Sequence, residues 1–169
     1  MVRKVEVIPY NPIWASMFME ESARLAWILA SEIVASHHIG STAIPGILAK
    51  PVVDILLEVK EIQIVDSYND QLIALGYQPR GENGIPGRRY FIKEINGVRI
   101  YHVHTFQTGN PEIARHINFR DYLIAHPAEA QAYSQLKVEL AREYSQDINS
   151  YVEGKTDFIR SVDEKARAR

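Results

Sequence analysis

The run RRYFIKEINGVRIYHVHTFQ, residues 88–107, limits the fold more than any other stretch of this 169-residue chain. Two segments rich in β-branched and aromatic residues flank Asn96-Gly97. Asn-Gly supplies the two positive-φ positions of a tight hairpin turn whose twist matches that of paired strands. The stretch therefore predicts a long antiparallel hairpin, and with it a sheet that the rest of the chain must extend and cover.

The other segments divide by period. VRKVEVI alternates like a short strand. Asn11 as N-cap and Pro12 as first helical residue open a helix. Trp14, Phe18, Leu25, Leu29 and Ile33 recur at helical spacing in it, and it is expected to end near Ser36. HHIG reads as a short strand running into a Gly40-Ser41 turn, TAIPGILAKP as a loop, and VVDILLEV as a buried strand. EIQIVDSYNDQLIALG reads as one amphipathic helix closed by Gly76, and YQPRGENGIPG as a long loop. From Asn110 the pattern is helical: PEIARHINFRDYLIAH, a helix opened by Pro127, and a last one from about Asp147. The order αβ–βα–ββ–ααα predicts one α+β domain over 1–169. A mixed β-sheet with flanking helices occupies about 1–109, and a helical C-terminal part about 110–169.

Composition narrows the class. A 46% apolar, 24% charged chain folds as an ordinary globular domain. A net charge of −2 argues against duplex nucleic acid as a partner, which would need a strongly basic face. No cysteine is present, which removes disulfides, thiol nucleophiles and thiolate metal sites. No apolar run approaches the roughly 20 residues that span a bilayer, and MVRKVEVIPY has no apolar signal core. No membrane role and a cytoplasmic location are the expectation.

Within this frame Asp54 is out of place. It stands in Val-Val-Asp-Ile-Leu-Leu, where a buried carboxylate without a partner is costly. Either it faces a site or it has a structural partner, such as loop amides near Gly40 or the Lys50 ammonium. Gly40 lets a ligand approach the backbone closely. Ser41 adds a hydroxyl, and free turn amides can hold a phosphate oxygen. A carboxylate on the next strand can then hold Mg²⁺ against that phosphate.

In YHVHTF, His102 and His104 are two apart and so share one strand face. Neutral imidazoles at that spacing can bind one transition-metal ion, and with Asp54 they would form an Asp-plus-two-His set for a divalent metal. The competing reading is a half-buried strand face of hydrogen-bonded histidines. Lys50 precedes the acid-bearing strand. Arg88 and Arg89 open the hairpin; one should face the site, and Arg89 is favoured with Lys50 as a phosphate binder. Of His37 and His38, at most one can face the site. Arg120 and Asp121 are site residues or an ordinary surface pair. His116, His126 and Lys155 read as surface or packing positions, and Tyr122, Tyr133 and Tyr151 as packing residues of the helical part.

A Gly-Ser turn followed by a strand with an inward acid resembles the nucleotidyltransferase superfamily of the polymerase-beta type. HIGSTAIPGILAKPVVDILLEV goes further and resembles the signature of the GrpB family (UPF0157). RRYFIK, YHVHTF, FRDYLIAHP, YSQLK and YVEGKTDFI follow in that family's order, so the likeness spans nearly the whole chain. The resemblance implies a nucleotidyltransferase-like fold. By analogy with GrpB-like domains fused to dephospho-coenzyme A kinase, it also implies a nucleotide or other phosphate-containing small molecule as partner. One position departs from the active transferase pattern. Leu56 stands where a second acid is expected, about 7 Å along the strand, and the next acid on that face, Glu58, is about 13 Å from Asp54. Three functions remain: metal-dependent nucleotidyl or phosphoryl transfer centred on Asp54, a catalytically degenerate nucleotide- or coenzyme-binding module, and a protein-interaction module.

Overall fold

The structure, a computed structural model, describes residues 5–168. Asn11 accepts from the Ile13 amide at 3.0 Å and opens α1, Ile13–Leu29. The helix stops earlier than its apolar stripe suggests. Ala30 adopts φ 50°, a short 3-10 turn covers Ala30–Glu32, and Ile33 already belongs to β1, Ile33–Ile39. Then come β2, Val53–Val59; α2, Ile62–Val65; α3, Asn69–Ala74; β3, Tyr77–Pro79; β4, Arg88–Ile95; and β5, Val98–Gln107. Four helices close the chain: α4, Pro111–Ala125; α5, Pro127–Glu143; α6, Ile148–Gly154; and α7, Thr156–Arg167.

The five strands form one mixed sheet in the order β1-β2-β5-β4-β3, in which only β2 and β5 run parallel. The hairpin lies where Asn96-Gly97 places it, with φ 53° and 77° at the two turn residues. Alternation gives the sheet two different faces. Val53, Ile55, Leu57 and Val59 of β2 pack with Trp14, Leu25 and Leu29 of α1 and with Val65 and Leu72. The opposite face carries Asp54, Leu56 and Glu58. Leu56 packs there on Ile39 and Phe106. The C-terminal helices join this side through Ile44 and Ile47 of the loop after β1, which meet Phe119, Leu123, Tyr133 and Val162.

Four further expectations need correction. Residues 2–4 of VRKVEVI lie outside the described residues, and 5–8 form no sheet strand. Val5 joins Leu140 and Tyr151 in a small apolar cluster, and Ile8 makes a single bridge to Ala49. The helix expected over 61–76 is broken by a 3-10 turn at Asp66–Tyr68, where Ser67 Oγ donates to the Ile64 carbonyl at 2.6 Å and competes with the helical bonds. The loop after Gly76 begins with the three-residue edge strand β3, whose terminal Pro79 suits an edge. The last expected helix is two, α6 and α7, meeting at Lys155.

Candidate functional site

The register aligns the expected site residues. Ile39, the last residue of β1, stands opposite Asp54, and Asp54 stands beside His102 in the parallel pair. The chain leaves β1 through Gly40 at φ 73°, ψ −171°, backbone that essentially only glycine adopts. A methyl group on Gly40 would lie 2.9 Å from Asp54 Oδ2. Both the turn and the close approach therefore require glycine. Gly40→Ala is expected to cost about 2–3 kcal/mol in urea unfolding. Part of this should disappear in the Asp54→Ala background, where the carboxylate is gone; equal costs in both backgrounds would show that contact to be irrelevant.

Asp54 Oδ1 lies 3.0 Å from His104 Nε2 and 3.4 Å from His102 Nδ1. Burial pushes the carboxyl upward, but hydrogen bonding from the two imidazoles outweighs it and holds the group well below the usual carboxylate range. Arg88 sets the polarity of this cluster. It is 6% exposed, donates to the Glu82 and Asn83 carbonyls at 3.0 and 2.8 Å, lies over the Tyr90 ring, and places Nη1 3.3 Å from His104 Nδ1. A guanidinium only donates, so His104 Nδ1 accepts and Nε2 carries the hydrogen given to Asp54. Each nitrogen of His104 is thus already engaged.

This arrangement answers the metal expectation. His102, His104 and Asp54 do come together, as hydrogen-bonded partners converging on one oxygen. Among the described residues no three His, Cys, Asp or Glu side chains are placed to hold a metal ion. Mg²⁺ takes oxygen ligands. Leu56, where a second acid would stand, is fully buried, and Glu58 accepts from Thr108 Oγ1 at 2.9 Å instead. The residues as placed do not fit the implied Mg²⁺.

Above Asp54 is a cavity of about 340 Å³. The strand side supplies Gly40, Ser41, Asp54, His102 and His104, and the opposite wall supplies Lys137 of α5, Tyr151 of α6, and Lys155. Lys50 completes it. Lys137, 2% exposed, donates to Ser41 Oγ and, at 2.9 Å, to the Leu48 carbonyl, so it ties the Gly-Ser turn to the helical half. Burial and the neighbouring Lys155 and Lys50 charges push its amine well below the usual lysine range. Burial and Lys50 lower Lys155 to about 8. Tyr151 is fully buried between two cations, with the Lys155 ammonium 4.7 Å and the Lys50 ammonium 5.5 Å from its ring centroid. Its hydroxyl has no hydrogen-bond partner among the described residues.

Gly40, Ser41, Lys50, Asp54, His102 and His104 thus share one pocket, whereas Arg89 does not belong to it. Arg89 pairs with Asp66 at 2.7 Å, on the sheet face opposite Asp54. It stands beside Thr105, while Arg88 stands beside Phe106 on the site face, so alternation selects the other arginine. His38 also faces away, stacked on Phe18 with Nε2 2.9 Å from Thr42 Oγ1. Arg120 donates to the His38 carbonyl at 3.0 Å and pairs with Asp121 outside the pocket. Lys155 and Tyr151, read as surface and packing, line the site together with Tyr133. Lys137, absent from the sequence-based candidates, does carry a local signal: it falls on the buried stripe Ala130, Tyr133, Ser134, Lys137, Leu140 of α5, where a charge needs a reason.

A mixed sheet with flanking helices, whose Gly-Ser turn faces a strand carboxylate beneath a lysine-walled pocket, defines an α+β protein with a single-carboxylate pocket. The GrpB protein family matches residues 4–165, and the chain belongs to that family. UPF0157 protein YqkA of Bacillus subtilis is 50% identical over 98% of this chain, which spans about half (48%) of that relative's length. Glutamate-rich protein GrpB of Alkalihalophilus pseudofirmus is 34% identical, with 95% and 96% of the two chains covered. The crystal structure of conserved protein GrpB from Enterococcus faecalis superposes with a TM-score of 0.92 at 40% identity, covering 95% of this chain and 96% of that one.

Proposed function

We propose that the pocket binds the phosphate groups of a nucleotide or coenzyme-like ester, and that its lysines rather than a metal ion carry the attraction. One observation supports this reading above the others. Three lysines, Lys50, Lys137 and Lys155, converge with the Gly40-Ser41 turn on a cavity whose one carboxylate is Asp54. Crowding of like charge is unfavourable without a ligand, and an anionic ligand relieves it. A volume of about 340 Å³ holds a compact phosphate-bearing molecule. A cytoplasmic location belongs to the same proposal and rests on composition. No helix among the described residues is long and apolar enough to cross a membrane.

Calorimetric titration with ATP and with pyrophosphate, in chelator and then in Mg²⁺ or Mn²⁺, tests the proposal. Binding is expected in chelator. It should be lost in Lys137→Met and kept or tightened in Asp54→Ala, because Asp54 only repels a phosphate. Absence of binding under every condition would refute it. Transfer chemistry is the second reading, favoured by the position of Asp54 on the pocket wall. Binding that requires the divalent ion, is abolished by Asp54→Ala and is accompanied by pyrophosphate release would establish it instead.

A further inference from the structure

The three pocket lysines are not equivalent. Lys137 already donates to Ser41 Oγ and the Leu48 carbonyl. Lys50 also has a partner. The Lys155 ammonium makes no hydrogen bond or ion pair among the described residues, and its contact is the face of Tyr151. Its backbone is fixed on both sides: its amide donates to the Val152 carbonyl at 3.2 Å, and its carbonyl accepts from Ile159 at 3.0 Å. The buried hydroxyl of that Tyr151 also lacks a hydrogen-bond partner among the described residues. The pocket thus holds, among the described residues, an amine without an acceptor over the ring of a tyrosine whose hydroxyl has no hydrogen-bond partner, in a cavity made cationic by Lys50 and Lys137. The charges acting on Lys155 are Lys50, which with burial brings the amine to about 8, and Asp54, which opposes them. A substantial neutral fraction is therefore present at mildly alkaline pH, and the neutral amine is the nucleophile.

We propose that Lys155 is a covalent capture site for phosphorylated aldehydes, with the phosphate held by Lys50 and Lys137 and the carbonyl carbon presented to Lys155 Nζ. This rests on the phosphate-binding reading and goes beyond it by naming the reactive group and the ligand class. The Nζ lone pair forms a bond to the carbonyl carbon while the C=O π pair moves to oxygen, which takes a proton. Nitrogen returns its proton to solvent. The carbinolamine hydroxyl then takes a second proton and leaves as water while the nitrogen lone pair forms C=N and the nitrogen gives its remaining proton to solvent, so no oxidant or reductant is consumed. Lys137 is the poorer candidate because its two existing acceptors hold it against the Gly-Ser turn.

Pyridoxal 5′-phosphate is the probe. The protein is incubated with it near pH 8, reduced with borohydride and mapped by peptide mass spectrometry. One label per chain is expected, on Lys155, suppressed by excess pyrophosphate and absent from Lys155→Met, with folding of that variant verified by its unfolding curve. Label spread over exposed lysines such as Lys60 and Lys165, label on Lys137, or label on Lys155 that pyrophosphate does not displace would overturn the proposal. Pyrophosphate titration of the same preparation separates the two ideas. Binding without label defeats covalent capture alone, whereas no binding defeats the phosphate reading as well.

Discussion

Replacing Glu21 by alanine is expected to destabilise the fold by about 3–5 kcal/mol, the range for removing one partner of a buried ion pair. Glu21 is fully buried in the middle of α1. It accepts from Tyr77 at 2.7 Å and pairs with Lys93 at 2.9 Å and Arg24 at 3.1 Å. Lys93, 13% exposed, also lies 5.4 and 5.7 Å from the Tyr77 and Tyr101 ring centroids. Without Glu21, an ammonium and a phenol remain buried in apolar surroundings. Urea unfolding measures the cost. Glu21→Ala combined with Lys93→Met should recover a good part of it, because the unpaired ammonium goes too. A cost below about 1 kcal/mol, or no recovery in the double variant, would show that this cluster does not hold α1 to β3 and β4.

Glu21 also marks the boundary of what was readable in the sequence. Trp14, Phe18, Leu25 and Leu29 showed which face of α1 is buried, and the stripe passes through position 21, where an acid stands. Period locates a buried face but says nothing of the tertiary partner that neutralises a charge on it. Lys137 repeats the lesson on α5, where its acceptors come from Ser41 and Leu48, nearly ninety or more positions earlier. The hairpin, the Gly-Ser turn and the strand acid were legible because turn chemistry and two-residue alternation are local. The same alternation stated that only one of Arg88 and Arg89 faces the site; choosing between them needed the pairing of β4 with β5. Parallel pairing of β2 with β5, which brings His102 beside Asp54, depends on a crossover that no local pattern encodes. The pocket wall contributed by α5 and α6 was invisible for the same reason.

Lys155→Met is expected to separate stability from function. Lys155 falls from an ordinary lysine value to about 8 in the folded protein, through burial and then Lys50. A lowered ammonium means that the folded state binds fewer protons than the unfolded chain between about pH 8 and 10.5. Stability should therefore rise with pH across that window, and below it Lys155 opposes folding by its full amount. At 1.36 kcal/mol per pH unit the shift corresponds to roughly 3 kcal/mol, which partial exposure reduces to about 1–2 kcal/mol. Methionine keeps the chain length over Tyr151 and removes the charge, so at pH 7 the variant should be more stable by about that amount, with the gain gone near pH 10.5. It also removes the charge that most depresses Lys137. Phosphate binding should move the other way, with pyrophosphate affinity falling about tenfold at pH 7, equivalent to about 1.4 kcal/mol. In the unsubstituted protein that affinity should decline as pH rises through about 8, where Lys155 loses its proton. Unfolding curves at pH 7 and pH 10.5, set beside calorimetry at pH 7 and pH 9, measure both effects. A variant that is less stable at pH 7 would contradict the charge-crowding account. A variant that is more stable and binds pyrophosphate undiminished would leave crowding intact and remove Lys155 from the phosphate site. A firmer fold with a weaker site is the combination expected of lysines kept together for a ligand and not for the fold.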